Sequence, residues 1–433
     1  MTDISNHRGD RGSWARRSRL EAGVQTSYAV PRASRRHGRG FWLIAYLFTV
    51  TMASSTLPTP LYPLYQREDG FGALMVTVVF AVYAVGVLAA LFLGGHVSDW
   101  VGRRRMLALG LLAGIASGVT FIVSTALPAL VAGRVLSGVS VGLVTATATA
   151  HLADLNGRAR PGQGLRRAEV VATAANLGGL GLGPLISGLL AEFSSSPLRV
   201  PYVVSVLLLA IGLAALAVVP ETVRRPDPLP AYRPQRTGVA PEHRSTFVGA
   251  ATASVVAFAV FGLFTSLAPI VMTTLFHSGS RVMAGLAALL AFGSAAAAQI
   301  PLHRVAARRQ LTIGLAVMAA GVVVLVLAVH LGLLALFLAG GAVAGAGAGI
   351  TFKGSMSTVL ATAAANQRGE TAAALFLFAY VGLTVPVLGL GFAAQSLPVT
   401  VALYAFAAAL LLALAFAAWR IVTARSATAM MDA

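Results

Sequence analysis

Apolar residues in this chain are gathered into long runs separated by short polar stretches, with little alternation inside each run. After a polar stretch to about residue 40, runs fall at about 41–65, 73–97, 105–126, 128–150, 168–192 and 200–219. A Pro- and Arg-rich stretch extends to about residue 245, and further runs follow at about 246–275, 282–302, 310–330, 332–356, 371–393 and 397–419. A helix needs about 20 apolar residues to cross a hydrocarbon core of about 30 Å, and every run reaches that length. The pattern predicts an all-α polytopic membrane protein whose twelve transmembrane helices form two six-helix bundles. Its expected divisions are a tail at 1–40, a first bundle at 41–220, a linker at 221–246, a second bundle at 247–420 and a tail at 421–433. A shift of 202 positions lays Arg166 on Arg368, Pro184 on Pro386 and His151 on Lys353, as an internal repeat would.

Composition agrees with this: 57% of the 433 residues are hydrophobic, 11% are charged, and mean hydropathy is +0.80. The chain has no cysteine, which excludes disulfides, thiolate metal sites and cysteine nucleophiles. In a soluble protein the net charge of +18 would suggest nucleic acid, but here the cations sort by side. Nearly all of the 32 Lys and Arg residues fall in the two ends and in alternate loops, leaving Arg67, Arg199 and Arg281 for the other side. Cationic loops stay in the cytoplasm, so both termini are expected there, in the cell membrane, with the bilayer and not a nucleic acid as partner. The Arg- and Ser-rich start resembles an organelle transit peptide, against which Asp3, Asp10 and Glu21 weigh, and no secretory signal is evident. It reads as an unstructured tail.

Residues 95–105 form a charged hinge between two runs, with Gly95, Asp99, Gly102, Arg103 and Arg104 at the spacing Gly-x-x-x-Asp-x-x-Gly-Arg-Arg. A basic loop alone explains the arginines and not that spacing. The segment resembles the signature loop between helices 2 and 3 of the major facilitator superfamily; Val97 stands in for its leucine and Trp100 for its cation. The resemblance implies a transporter that exchanges inward and outward states by rocking two bundles, with this loop as the conformational switch. Removal of Asp99 is then expected to lower transport and leave membrane insertion intact.

Other residues fit the same family. Arg134-x-x-x-Gly138-x-x-x-Gly142 is similar to its helix 4 motif, associated with proton coupling; Arg134 either faces a cavity or snorkels to the outer interface. Gly179, Gly183, Pro184 and Gly188 resemble the helix 5 motif of its antiporters, with Ser187 where the last glycine is expected. Those small residues also suit plain close packing. Lys353 is the only lysine in the chain, and the resemblance puts it with His151 and Asp154 near the cytoplasmic mouth of the cavity; ordinary interfacial charge is the other reading of His151 and Asp154. Prolines at 58, 60 and 63 must break the outer end of the first helix, which either borders the path or simply ends there. Cavity-lining candidates are Tyr83, Asn176, Phe261, Phe264, Gln299 and Tyr380, with Phe258 and Phe292 beside them.

The expected function is proton-coupled efflux of a small amphipathic or drug-like compound by a monomer. No carboxylate lies in the middle of any run, so a proton would have to act at Asp154, Glu169 or His151, or not at all. An importer of a small polar metabolite should carry more polar residues at midspan, and a non-transporting sensor or scaffold leaves the intact hinge unexplained. No paired acids, metal cluster or nucleophile–base set can be assembled, so no enzyme activity, cofactor or metal is expected.

Overall fold

The computed structural model describes residues 35–223, 226–228, 231–364 and 367–431. Residues 1–34 of the expected tail lie outside them. The first half of the chain carries α1 (Arg35–Thr56), α2 (Tyr62–Asp69), α3 (Ala73–Gly94), α4 (Ser98–Val101), α5 (Arg103–Val123), α6 (Leu127–Ala159), α7 (Arg166–Glu192) and α8 (Val200–Leu216). The second carries α9 (Arg244–Gly262), α10 (Ala268–Leu275), α11 (Arg281–Ala298), α12 (Ala307–Leu331), α13 (Leu334–Thr362), α14 (Arg368–Ala393) and α15 (Val399–Met431). Among the described residues, 11 helical segments are long and apolar enough to cross a membrane, while α8, at 17 residues, is a shorter apolar helix. Two expected boundaries move: residues 35–40 already belong to α1, and the helix of the last run continues to Met431.

Outward-facing side chains are apolar, as a lipid solvent requires. Val123 is 75% exposed and Leu412 72%, and both sit on spans with little outward charge. Helix starts use Pro128, Pro201 and Pro269 in the first turn, where a missing N–H costs nothing. Left-handed Gly70 and Gly332 end α2 and α12.

Packing within each half is set by small residues. Gly138 and Gly142 of α6 press on the α3 backbone around Tyr83, Val87 and Ala90, which puts Arg134, on the same helical face, beside Tyr83. In the second half Gly347 meets the Met318 backbone, so α13 and α12 touch main chain to main chain. α6 has 33 residues, about 50 Å of helix, so its last turns project past a 30 Å core on the face that carries Arg103 and Arg104. That face is called the basic face below.

The halves meet on the opposite face. α7 packs on α11, and α14 on α3. Gly188 lies against Arg281 and Val282, Gly285 against Pro184 and Leu185, and Gly391 against the Thr77 side chain. Glu192 accepts the Arg281 backbone N–H at 3.0 Å and pairs with its guanidinium at 3.9 Å.

Candidate functional site

Proline chemistry creates the site. Pro58 and Pro60 end α1 and leave its last carbonyls without amide donors, so other helices must supply them. Arg134 Nη1 donates to the Ser55 carbonyl at 2.7 Å, and the Ser187 hydroxyl donates to the Leu57 carbonyl at 2.8 Å. The serine in place of the motif glycine is thus a working donor. Pro184 likewise frees the Leu180 carbonyl, to which Thr56 Oγ1 donates at 3.0 Å. Across the halves, Thr59 Oγ1 donates to the Thr265 carbonyl at 2.9 Å, inside a π-helical turn at Leu263–Leu267.

A cavity of about 150 Å³ extends from Thr59 and Thr265 toward Gln299 at the basic end of α11, lined by both halves. Its walls include Tyr83, Asn176, Phe261 and Tyr380 of the expected residues, together with Phe258 and Phe292. Phe261 stacks on Phe292 at 4.6 Å between ring centroids, and Phe258 meets Phe352 edge-on at 4.9 Å. Arg134 is the one charged residue in the lining among the described residues; its guanidinium carbon lies 4.6 Å from the Tyr83 ring centroid and 5.6 Å from that of Phe80. Phe264, expected on this wall, is packed away from it, fully buried against Gly341 and Phe337. The helix 5 residues divide: Gly179 and Gly183 pack on α1 within the first half, whereas Gly188 packs on α11.

The hinge residues form a second centre. Gly102 adopts φ of +113°, a conformation that disfavours a side chain, and starts α5. The Glu221 carboxylate caps that helix, accepting the backbone N–H groups of Arg103 at 3.1 Å and Arg104 at 3.0 Å. Arg103 pairs with Asp99 at 2.5 Å and with Asp154 at 3.4 Å, and donates to Ser98 Oγ at 2.7 Å. Thr222 Oγ1 also donates to Asp154, and Arg104 Nη2 donates to the Ala217 carbonyl. Gly95 is ordinary right-handed helix at the end of α3.

The resemblance put His151 and Asp154 near the cavity mouth, with interfacial charge as the other reading; neither lines the cavity, and both stand beside the hinge. His151 is fully buried and donates through Nε2 to the Pro220 carbonyl at 3.1 Å. Lys353 donates to the Gln299 backbone carbonyl at 3.3 Å, at the basic end of the cavity. The linker bridges the two halves: Gln235 N–H donates to the Phe92 carbonyl of α3, and Thr371 Oγ1 of α14 donates to the Gly238 carbonyl.

Sequence reasoning assigned no role to Glu221, Ser55, Thr59 or Thr265. Nothing local to Pro220-Glu221-Thr222 shows that its acid caps a helix whose Arg104 lies 117 residues away.

Burial pushes the Glu221 carboxyl up, but the N–H donors of Arg104, Val223, Thr222 and Arg103 outweigh it and hold the group below its ordinary value of 4.5. A depressed folded pKa contributes stability that is complete above the unfolded value and is lost as pH falls through the folded one. Glu221→Gln is therefore expected to lower stability at neutral pH, with the gap to the unchanged protein closing as pH falls through the depressed value of the folded carboxyl. Tryptophan-detected melting in detergent across pH 3–8 measures it; a gap that is constant with pH contradicts the cap.

The family model described as Major Facilitator Superfamily matches residues 43–385. No curated protein matches the chain.

Proposed function

Because the chain belongs to the Major Facilitator Superfamily, whose members are secondary transporters and not enzymes, we propose that it exports a small amphipathic compound in exchange for protons. In this reading α8 is the twelfth span, and the two halves are six-helix bundles that rock about the cavity. Both termini and the basic face are cytoplasmic in the cell membrane, and the protein acts as a monomer. The state described here then has its outer side shut by the Gly188, Gly285 and Gly391 contacts.

The observation that carries the proposal is the aromatic cavity, shared by both halves and ending at the Thr59–Thr265 contact. Its greasy lining suits an amphipathic ligand better than a sugar. A proton has no carboxylate to occupy there, so coupling is assigned to Asp154, whose neutralisation would loosen Arg103 and the loop it holds.

Counterflow in proteoliposomes against lipophilic cations, neutral antibiotics and sugars, with and without a pH gradient, tests this reading. Exchange of an amphipathic compound, accelerated by protons moving the other way, is expected. Accumulation driven by protons moving the same way would make the protein an importer, and no exchange of any compound would make it a sensor or scaffold.

A further inference from the structure

The charge balance of the cavity is unusual. Arg134 is 2% exposed, and its guanidinium offers five N–H donors in a plane. One reaches the Ser55 carbonyl, while Nε is buried with no hydrogen-bond partner. No carboxylate pairs with it among the described residues, and the lining contains no Asp or Glu. An arginine in the membrane interior costs about 2.5–3.5 kcal/mol on insertion scales, and such groups are ordinarily paired or functional. The two ring faces of Tyr83 and Phe80 offset part of this and also hold the fork in one place. At the basic end of the cavity the carbonyl of Gln299, a lining residue, accepts from a second cation, Lys353.

From this geometry we infer that the cavity takes a compact aromatic monoanion: an acid group on Arg134 and a flat apolar body among Phe258, Phe261, Phe292 and Tyr380. The inference rests on the transporter reading and narrows its substrate class. A carboxylate or sulfonate supplies the missing counter-charge and matches a planar donor fork with two acceptor oxygens. A lipophilic cation of the same shape meets like charge in a low-dielectric site, where repulsion is weakly screened. An apolar cavity of about 150 Å³ accepts a benzene-sized body. The competing account of Arg134 is a strut that holds the broken end of α1 through Ser55. A strut predicts no preference among ligands by charge.

Benzoate, benzamide and benzylammonium share one ring and carry charges of about −1, 0 and +1 at pH 7. Radiolabelled benzoate bound to the full chain in detergent is competed with each. Unlabelled benzoate should displace it at about tenfold lower concentration than benzamide, and benzylammonium should displace least. Arg134→Gln should reduce benzoate to the level of benzamide, while Arg134→Lys keeps part of the preference. Equal or better displacement by benzamide or benzylammonium, or no benzoate binding at all, overturns the inference; these readings need only the unsubstituted protein, whether or not the variants fold. Counterflow of the same three compounds separates the two claims. Benzoate that binds without exchanging leaves the anion site standing and sinks the transporter reading. Exchange of benzylammonium in preference to benzoate does the reverse.

Discussion

Substituting valine for Gly285 will abolish most transport while leaving the protein folded and inserted. A Cβ at 285 overlaps the Pro184 carbonyl oxygen and comes within 2.6 Å of the Leu185 Cα, both backbone atoms that no rotamer change can move. Position 285 is within α11, where valine is no worse for the helix than glycine, so the cost falls on the contact between the halves. Overpacking of this kind costs about 1–3 kcal/mol, enough to shift a two-state balance by about 5- to 150-fold away from the state closed on that face. The absence of cysteine gives a direct readout. With a single cysteine at Thr59, which is buried at the Thr265 contact, an impermeant maleimide added on the face opposite the basic one should react at least about tenfold faster in the Gly285→Val background. Counterflow should drop by a similar factor. Unchanged labelling together with normal transport would mean that this seam does not open in the cycle.

What could be read in the chain, and what could not, follows helical geometry. Apolar runs long enough to span lipid announce themselves, and a glycine between a charged turn and an arginine pair is readable as a forced backbone, as Gly102 turned out to be. Which face a residue occupies is harder. At about 100° per residue, Val141 and Thr145 lie within about 20° of Arg134 on α6 and share its cavity, while Asp154 is about 200° round and cannot. The family resemblance placed Asp154 near the cytoplasmic mouth; on α6 it faces the hinge and not the cavity lining. Phe258 and Phe261 line the cavity and Phe264 does not, since a step of three residues drifts by about 60° and the π turn at 263–267 intervenes. Glu221 was the hardest to see, because nothing local in Pro-Glu-Thr reveals that α5 begins beside it.

Arg103→Ala should reduce transport by more than tenfold, and Asp99→Ala by no more than about fivefold, reversing the weight that the signature spacing puts on the acid. The Asp99 side chain is 62% exposed, and an ion pair that open to solvent contributes about 0–1 kcal/mol. Arg103 is 11% exposed and joins three elements: the α4 turn through Ser98 and Asp99, α6 through Asp154, and, through Asp154 again, the exit of α8 at Thr222. Its loss leaves the half-buried Asp154 carboxylate with the Thr222 hydroxyl, at a cost of about 1–3 kcal/mol. Initial counterflow rates per inserted protein give the single effects. Coupling between the sites needs the double variant: Asp154→Ala should add little once Arg103 is gone, as residues acting as one unit behave. Additive losses from Arg103 and Asp154, or a larger loss from Asp99 than from Arg103, would show that the switch does not run through this guanidinium.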